Sequence, residues 1–108
     1  MYEVYTDGSC LGNPGRGGWG VIGKDFTLRG DAQNTTNNIM EMTAIAKALE
    51  ECLNRDYLEA RIYTDSNYVK QGITQWIHKW KKNGWKTSTD TDVKNKDLWI
   101  KIDTLRSQ

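Results

Sequence analysis

The stretch from Met40 to Thr64 constrains the fold more than any other part of the chain. Ile45, Ala48, Leu49 and Cys52 recur at helical spacing and predict a helix over Met40–Leu53. Ala60–Thr64 then reads as a short strand ending at Asp65-Ser66. A strand, a helix and a second strand in succession predict a crossover with parallel strands. Upstream, Tyr2–Thr6, Trp19–Gly23 and Phe26–Gly30 read as three strands of an antiparallel meander. The run Gly12-Asn13-Pro14-Gly15-Arg16-Gly17-Gly18 reads as a loop between the first two, and a tight turn is expected near Lys24-Asp25. The predicted fold is therefore α/β, with a mixed sheet in which strands 1–3 are antiparallel and strand 4 lies parallel to strand 1. Ser66 is expected to cap a short helix, Trp76–Lys82 to form another ended by Asn83-Gly84, and Leu98, Ile102 and Leu105 to mark a last one.

A chain of 108 residues is one small domain, and five Trp and five Tyr argue against disorder. The formal net charge is only +1, so overall charge by itself implies neither a nucleic-acid nor a membrane partner. No apolar run has the length of a signal peptide or a membrane span. Cys10 and Cys52 have no spacing that suggests a disulfide framework or a zinc site, which fits a reduced, cytoplasmic protein.

Three acids occupy unusual places. Asp7 follows the first strand and Asp65 the fourth, so parallel pairing would bring both to one edge of the sheet, where open α/β sheets bind ligands. Glu41 precedes Ile45 by four and lies on the apolar stripe of its helix, where an ionised carboxylate is costly without a partner. Converging carboxylates call for a cation, and oxygen-only ligation suits Mg²⁺ or Mn²⁺. Each acid also has an ordinary reading: a strand-end Asp as turn former or cap, and Glu41 as a partner of the helix dipole. Spacing alone leaves both readings open.

The segment Trp76-Ile77-His78-Lys79-Trp80-Lys81-Lys82-Asn83-Gly84-Trp85-Lys86 holds no acid and is locally basic in a nearly neutral chain. Lysines attract phosphates and indole rings stack on sugars or bases, although a solvated helix with Trp80 in the core reads equally well. His78 fits a phosphate-side surface residue better than a metal ligand. Thr35-Thr36-Asn37-Asn38 is a helix entry whose amides would also suit minor-groove edges and 2′-hydroxyls.

Together these blocks resemble type 1 ribonuclease H in its bacterial form with a basic protrusion. The resemblance rests on Tyr5-Thr6-Asp7-Gly8-Ser9-Cys10-Leu11-Gly12-Asn13-Pro14-Gly15, Thr35-Thr36-Asn37-Asn38-Ile39-Met40-Glu41, Thr64-Asp65-Ser66-Asn67-Tyr68-Val69, Gln71-Gly72-Ile73-Thr74-Gln75-Trp76-Ile77 and Lys94-Asn95-Lys96-Asp97-Leu98-Trp99, in order along nearly the whole chain. It implies hydrolysis of the RNA strand of an RNA–DNA hybrid, leaving a 3′-hydroxyl and a 5′-phosphate, with two Mg²⁺ ions and Mn²⁺ as a substitute. One ion would activate water and the other stabilise the leaving oxygen. By match, Asp7, Glu41 and Asp65 are three of four catalytic, metal-holding carboxylates, with Asp7 bridging the ions and Glu41 also meeting the 2′-hydroxyl. Asn13, Asn37, Asn38 and Asn67 match minor-groove contacts, and Thr36 and Asn95 a grip on a DNA phosphate. Trp76 and Trp99 match a DNA-strand channel, and Lys79, Lys81, Lys82, Trp85 and Lys86 the protrusion. The chain departs from the family at Asn67, Ile39 and Asn34, where Gln, Arg and Arg are usual.

The family pattern continues past the last helix with a fifth strand, a loop bearing a His and a final helix that begins with the fourth carboxylate. These are absent from the 108 residues. The expectation is a metal site one ligand short, an open edge at Ala60–Thr64, weak binding and poor cleavage by the chain alone. Pairing with a second copy or with a complementary C-terminal fragment through that edge is also expected. The competing readings are a non-catalytic hybrid-binding remnant and another nuclease or transposase of the same fold.

Overall fold

A computed structural model describes all 108 residues. The strands are β1 (Tyr2–Gly12), β2 (Gly15–Gly23), β3 (Thr27–Thr35) and β4 (Ala60–Tyr63). The helices are α1 (Asn37–Asn54), α2 (Asn67–Gln71), α3 (Ile77–Lys82) and α4 (Lys96–Arg106), with a π-helical turn over Gly72–Trp76 between α2 and α3. The sheet order is β3-β2-β1-β4, with β1 antiparallel to β2, β2 antiparallel to β3, and β4 parallel to β1. This is the mixed sheet that the strand–helix–strand pattern predicts.

Several boundaries differ from the sequence reading; β3, for one, spans Thr27–Thr35 rather than Phe26–Gly30. The glycine-rich run is not a loop: only Asn13 and Pro14 separate β1 from β2, and Gly15–Gly23 is a strand paired along its length. Gly17 within it serves close approach more than turning. A Cβ on Gly17 would lie 2.6 Å from the Ser9 carbonyl and 2.7 Å from the Thr35 methyl. Likewise β1 does not stop at Thr6 but runs on through Asp7 against β2, with Asp7 opposite Gly20. What stops is its parallel pairing with β4, whose last partners are Tyr5 and Tyr63.

Helix α1 begins at Asn37 rather than Met40, because Thr36 adopts an extended backbone and its hydroxyl accepts the Ile39 N–H at 3.1 Å. Its apolar surface is wider than one stripe and serves two cores. Ala44, Ala48 and Cys52 pack with Val4, Val21 and Phe26 of the hairpin sheet. Met42, Ile45 and Ala46 pack with Val69, Ile77, Val93, Trp99 and Ile102 beneath the later helices. Ser66 caps α2 as expected, its hydroxyl accepting the Val69 N–H at 3.2 Å. The outer edge of β4 is unpaired. Beside it runs a groove of about 420 Å³ lined by Leu49, Ile62, Ile73 and Leu105, among others.

Trp99 is fully buried and lies directly on Gly72, where an added Cβ would fall 2.1 Å from the indole ring. Overpacking of this kind costs about 1–3 kcal/mol. Gly72→Ala should therefore lower the thermal midpoint by roughly 4–8 °C for each kcal/mol lost, followed by circular dichroism. An unchanged midpoint would show that the Trp99 pocket has slack that the structure does not show.

Candidate active site

The three acids converge. One carboxylate oxygen each from Asp7, Glu41 and Asp65 lies within 4.8 Å of the others. Asp7 and Asp65 each stand two positions beyond Tyr5 and Tyr63, the last parallel pair. There the strands remain tied by the Thr6 hydroxyl, which donates to the Tyr63 carbonyl at 3.0 Å. Glu41 arrives from α1, which can approach β1 because position 8 has no side chain. A Cβ on Gly8 would lie 2.4 Å from the Met40 carbonyl carbon and 2.6 Å from the Glu41 nitrogen. The Gly8 N–H is shared between the Glu41 Oε1, at 2.9 Å, and its own neighbour Asp7 Oδ1, at 3.0 Å.

The electrostatics of Glu41 are unfavourable without a cation. Asp7 and Asp65 are exposed, whereas Glu41 is 9% exposed. Burial pushes the Glu41 carboxyl above its ordinary value, and the charges of Asp65 and Asp7 add in the same direction. The Gly8 N–H and the Thr64 hydroxyl pull the other way without cancelling the rise. No lysine or arginine forms an ion pair with any of the three acids. Because α1 starts at Asn37, Glu41 lies past the first helical turn, which weakens its reading as a dipole partner. Three oxygen donors with surplus negative charge and no protein cation fit a hard divalent metal.

The amide-bearing residues gather at the entry to α1. Asn13, in the β1–β2 turn, accepts the Asn37 N–H through its Oδ1 at 3.4 Å, and Asn38 follows, half-buried. Asn67 is exposed at the start of α2. Asn95 has a left-handed backbone, φ 60°, and its amide donates to the Tyr68 hydroxyl at 3.4 Å. Ile39, Asn95 and Lys96 line one surface recess, one helical turn from Thr36.

The basic segment is less free than its sequence indicates. Lys81 pairs with Asp103 at 3.2 Å and Lys86 with Asp92 at 2.7 Å, acids that lie outside the segment. The Lys86 hydrogen bond and charge hold the Asp92 carboxyl below its usual range. Lys79 and Lys82 are exposed and unpaired. Trp76, Trp80 and Trp85 are half-buried in a chain of ring contacts at 5.9 and 6.4 Å. Trp76 and Lys79 line a recess with Lys94. Trp99 corrects the sequence reading: with no exposed surface it offers no face to a ligand. It packs behind the recess, its indole N–H donating to the Tyr68 hydroxyl at 3.4 Å. Sequence reasoning also passed over Gly8, Thr64 and Tyr68. Of these, only Gly8, a glycine inside a strand, carries a general signal of close backbone approach.

A mixed sheet with a carboxylate cluster where the central strand parts from its parallel neighbour defines a class: the metal-dependent hydrolases of the ribonuclease H-like fold. The comparisons narrow it. The RNase H family model matches residues 1–108. A ribonuclease H of Parvibaculum lavamentivorans is 55% identical over 111 residues, covering 99% of this chain and 73% of that protein. A ribonuclease H of Escherichia coli strain K12 is 51% identical over 110 residues, covering 98% and 70%. Among solved structures, LC11-RNase H1 in complex with an RNA/DNA hybrid is similar, with TM-score 0.73, 25% identity and coverage of 99% of this chain and 77% of that one. The chain belongs to the RNase H family.

The raised Glu41 carboxyl has a consequence for the metal-free chain. A native acid that holds its proton more tightly than the unfolded chain makes stability fall as pH rises from the ordinary carboxyl value to the raised one. Glu41→Gln should flatten that fall and raise the thermal midpoint at pH 7 in EDTA. Melts from pH 4 to pH 7 check this, and a midpoint lowered by the substitution at pH 7 would contradict it.

Proposed function

We propose that this chain cleaves the RNA strand of RNA–DNA hybrids at the Asp7–Glu41–Asp65 cluster, leaving 3′-hydroxyl and 5′-phosphate ends. The supporting observation is that cluster itself: three carboxylates within 4.8 Å of one another, lacking a protein cation, in a chain of the RNase H family. Asp7, Glu41 and Asp65 would hold two Mg²⁺ ions, with Mn²⁺ able to replace them. Bound there, the metal supplies a water acidified for attack and positive charge against the phosphate. The protein's own part is positional. The Gly8 N–H orients two of the acids toward one point, and the burial of Glu41 keeps bulk water from one side of it. A Glu41 carboxylate that accepts the 2′-hydroxyl hydrogen bond would favour RNA over DNA in the cleaved strand.

The hybrid would lie from the α1 entry to the basic helix. Asn13, Asn37, Asn38 and Asn67 have amides suited to groove edges and 2′-hydroxyls. Thr36 and Asn95 would grip a phosphate of the DNA strand, Trp76 would flank that strand, and Trp85 would belong to the protrusion. Lys79 and Lys82 are the free charges for further phosphates, while Lys81 and Lys86 would first have to leave Asp103 and Asp92. The unpaired cysteines accord with a reduced, cytoplasmic setting, and no helix is long and apolar enough to cross a membrane. The open edge of β4 is the surface through which a second copy or a complementary fragment would add a strand.

Incubation of the purified chain with labelled hybrid, RNA duplex and DNA duplex, in Mg²⁺ and in Mn²⁺, tests the reading. Slow cleavage, confined to the RNA of the hybrid, is expected. Asp7→Asn should lower it by at least about 100-fold, beyond the loss typical of an outer partner, while leaving the fold intact. Binding without cleavage in either metal would make the chain a hybrid-binding module instead. Lys79→Ala and Lys82→Ala should each reduce the salt slope of binding by about 1, measured by fluorescence anisotropy. An unchanged slope would remove those lysines from the interface.

A further inference from the structure

We infer that Thr64 is a positioning residue for Glu41 and ties it to the turn that carries Asp65. This rests on the metal reading above and extends it to a side chain with no role so far. Thr64 is half-buried just past the end of β4. Its hydroxyl oxygen accepts the Ser66 N–H at 3.1 Å and its proton is directed at the Glu41 Oε2 at 3.4 Å. The Ser66 N–H occupies a lone pair of the hydroxyl, which leaves the proton free to point at the carboxylate.

Each oxygen of Glu41 thus has one protein donor. Oε1 takes the Gly8 backbone N–H and Oε2 takes the Thr64 hydroxyl. A single backbone bond leaves the carboxylate free to rotate about its terminal torsion, which is broad and roughly two-fold. The second bond, from the residue just past β4, selects one orientation. The same hydroxyl fixes the backbone across Asp65, so the two acids from separate elements share one reference point. Outer partners of this kind orient metal-holding carboxylates in many sites.

Thr64→Val keeps the branched shape and removes the hydroxyl, and Thr64→Ser keeps the hydroxyl and removes the methyl. Mn²⁺ titrations followed by the electron paramagnetic resonance of the free ion read affinity without any turnover. Far-UV circular dichroism and the thermal midpoint check the fold. The wild type should bind, Thr64→Val should bind about 10-fold or more weakly with its fold retained, and Thr64→Ser should return to within about threefold of wild type, given the 10–100-fold cost of losing an outer partner. Should Thr64→Val lose its fold, Thr64→Ala is read by the same criteria. Val binding as tightly as wild type, or Ser binding as weakly as Val, overturns the role of the hydroxyl while leaving the metal reading in place. A wild type that takes up no Mn²⁺ overturns the metal reading, and this inference with it.

Discussion

One backbone N–H organises the site. Gly8 donates to Glu41 and to Asp7 at once, at 2.9 and 3.0 Å. It can do so only because the missing Cβ lets the first turn of α1 rest on β1. Any side chain at position 8 would meet Met40 backbone within 2.4 Å and push the helix away. The docking of α1 is in turn what divides the interior into its two cores, one against the sheet and one beneath the later helices. The close approach that builds the site is therefore the same one that builds the domain. A lesion at Gly8 would be felt in both.

The gathering of acids works against stability. Burial and the neighbouring charges of Asp65 and Asp7 all oppose ionisation of Glu41, and only two hydrogen bonds favour it. Natural domains keep such arrangements where a ligand repays them, and pKa values are most perturbed at functional sites. Some charges elsewhere on the surface are paired. Lys81, Lys86 and Lys101 are each matched by an acid, whereas no basic side chain pairs with any of the three clustered acids. The convergence of three acids within 4.8 Å, one of them buried, sets the site apart from acids scattered over the surface.

Much of this was legible in the residues. The strand–helix–strand order pointed to parallel pairing, and the pairing of β4 with β1 brings Asp7 and Asp65 together. The apolar stripe around Glu41 marked it as a buried acid facing the sheet. What was not legible depends on distance in the chain. Gly17 of β2 read as a turn former because its neighbours, Ser9, Thr35 and Met40, belong to other elements. Trp99 read as a ligand-facing ring because nothing nearby in sequence shows that Gly72 opens a pocket for it in the core. The basic segment read as fully charged because Asp92 and Asp103, which neutralise part of it, follow it in the chain. Local chemistry was readable, and the pairings that only the fold creates were not.

The central claim is that Asp7, Glu41 and Asp65 form one metal-holding centre. Diffraction from crystals of this chain grown in Mn²⁺, recorded at the manganese absorption edge, tests it most directly. The predicted result is anomalous density among those three carboxylates, with Glu41 still bonded to the Gly8 N–H. Manganese density elsewhere on the protein, with these three carboxylates left bare, would contradict it.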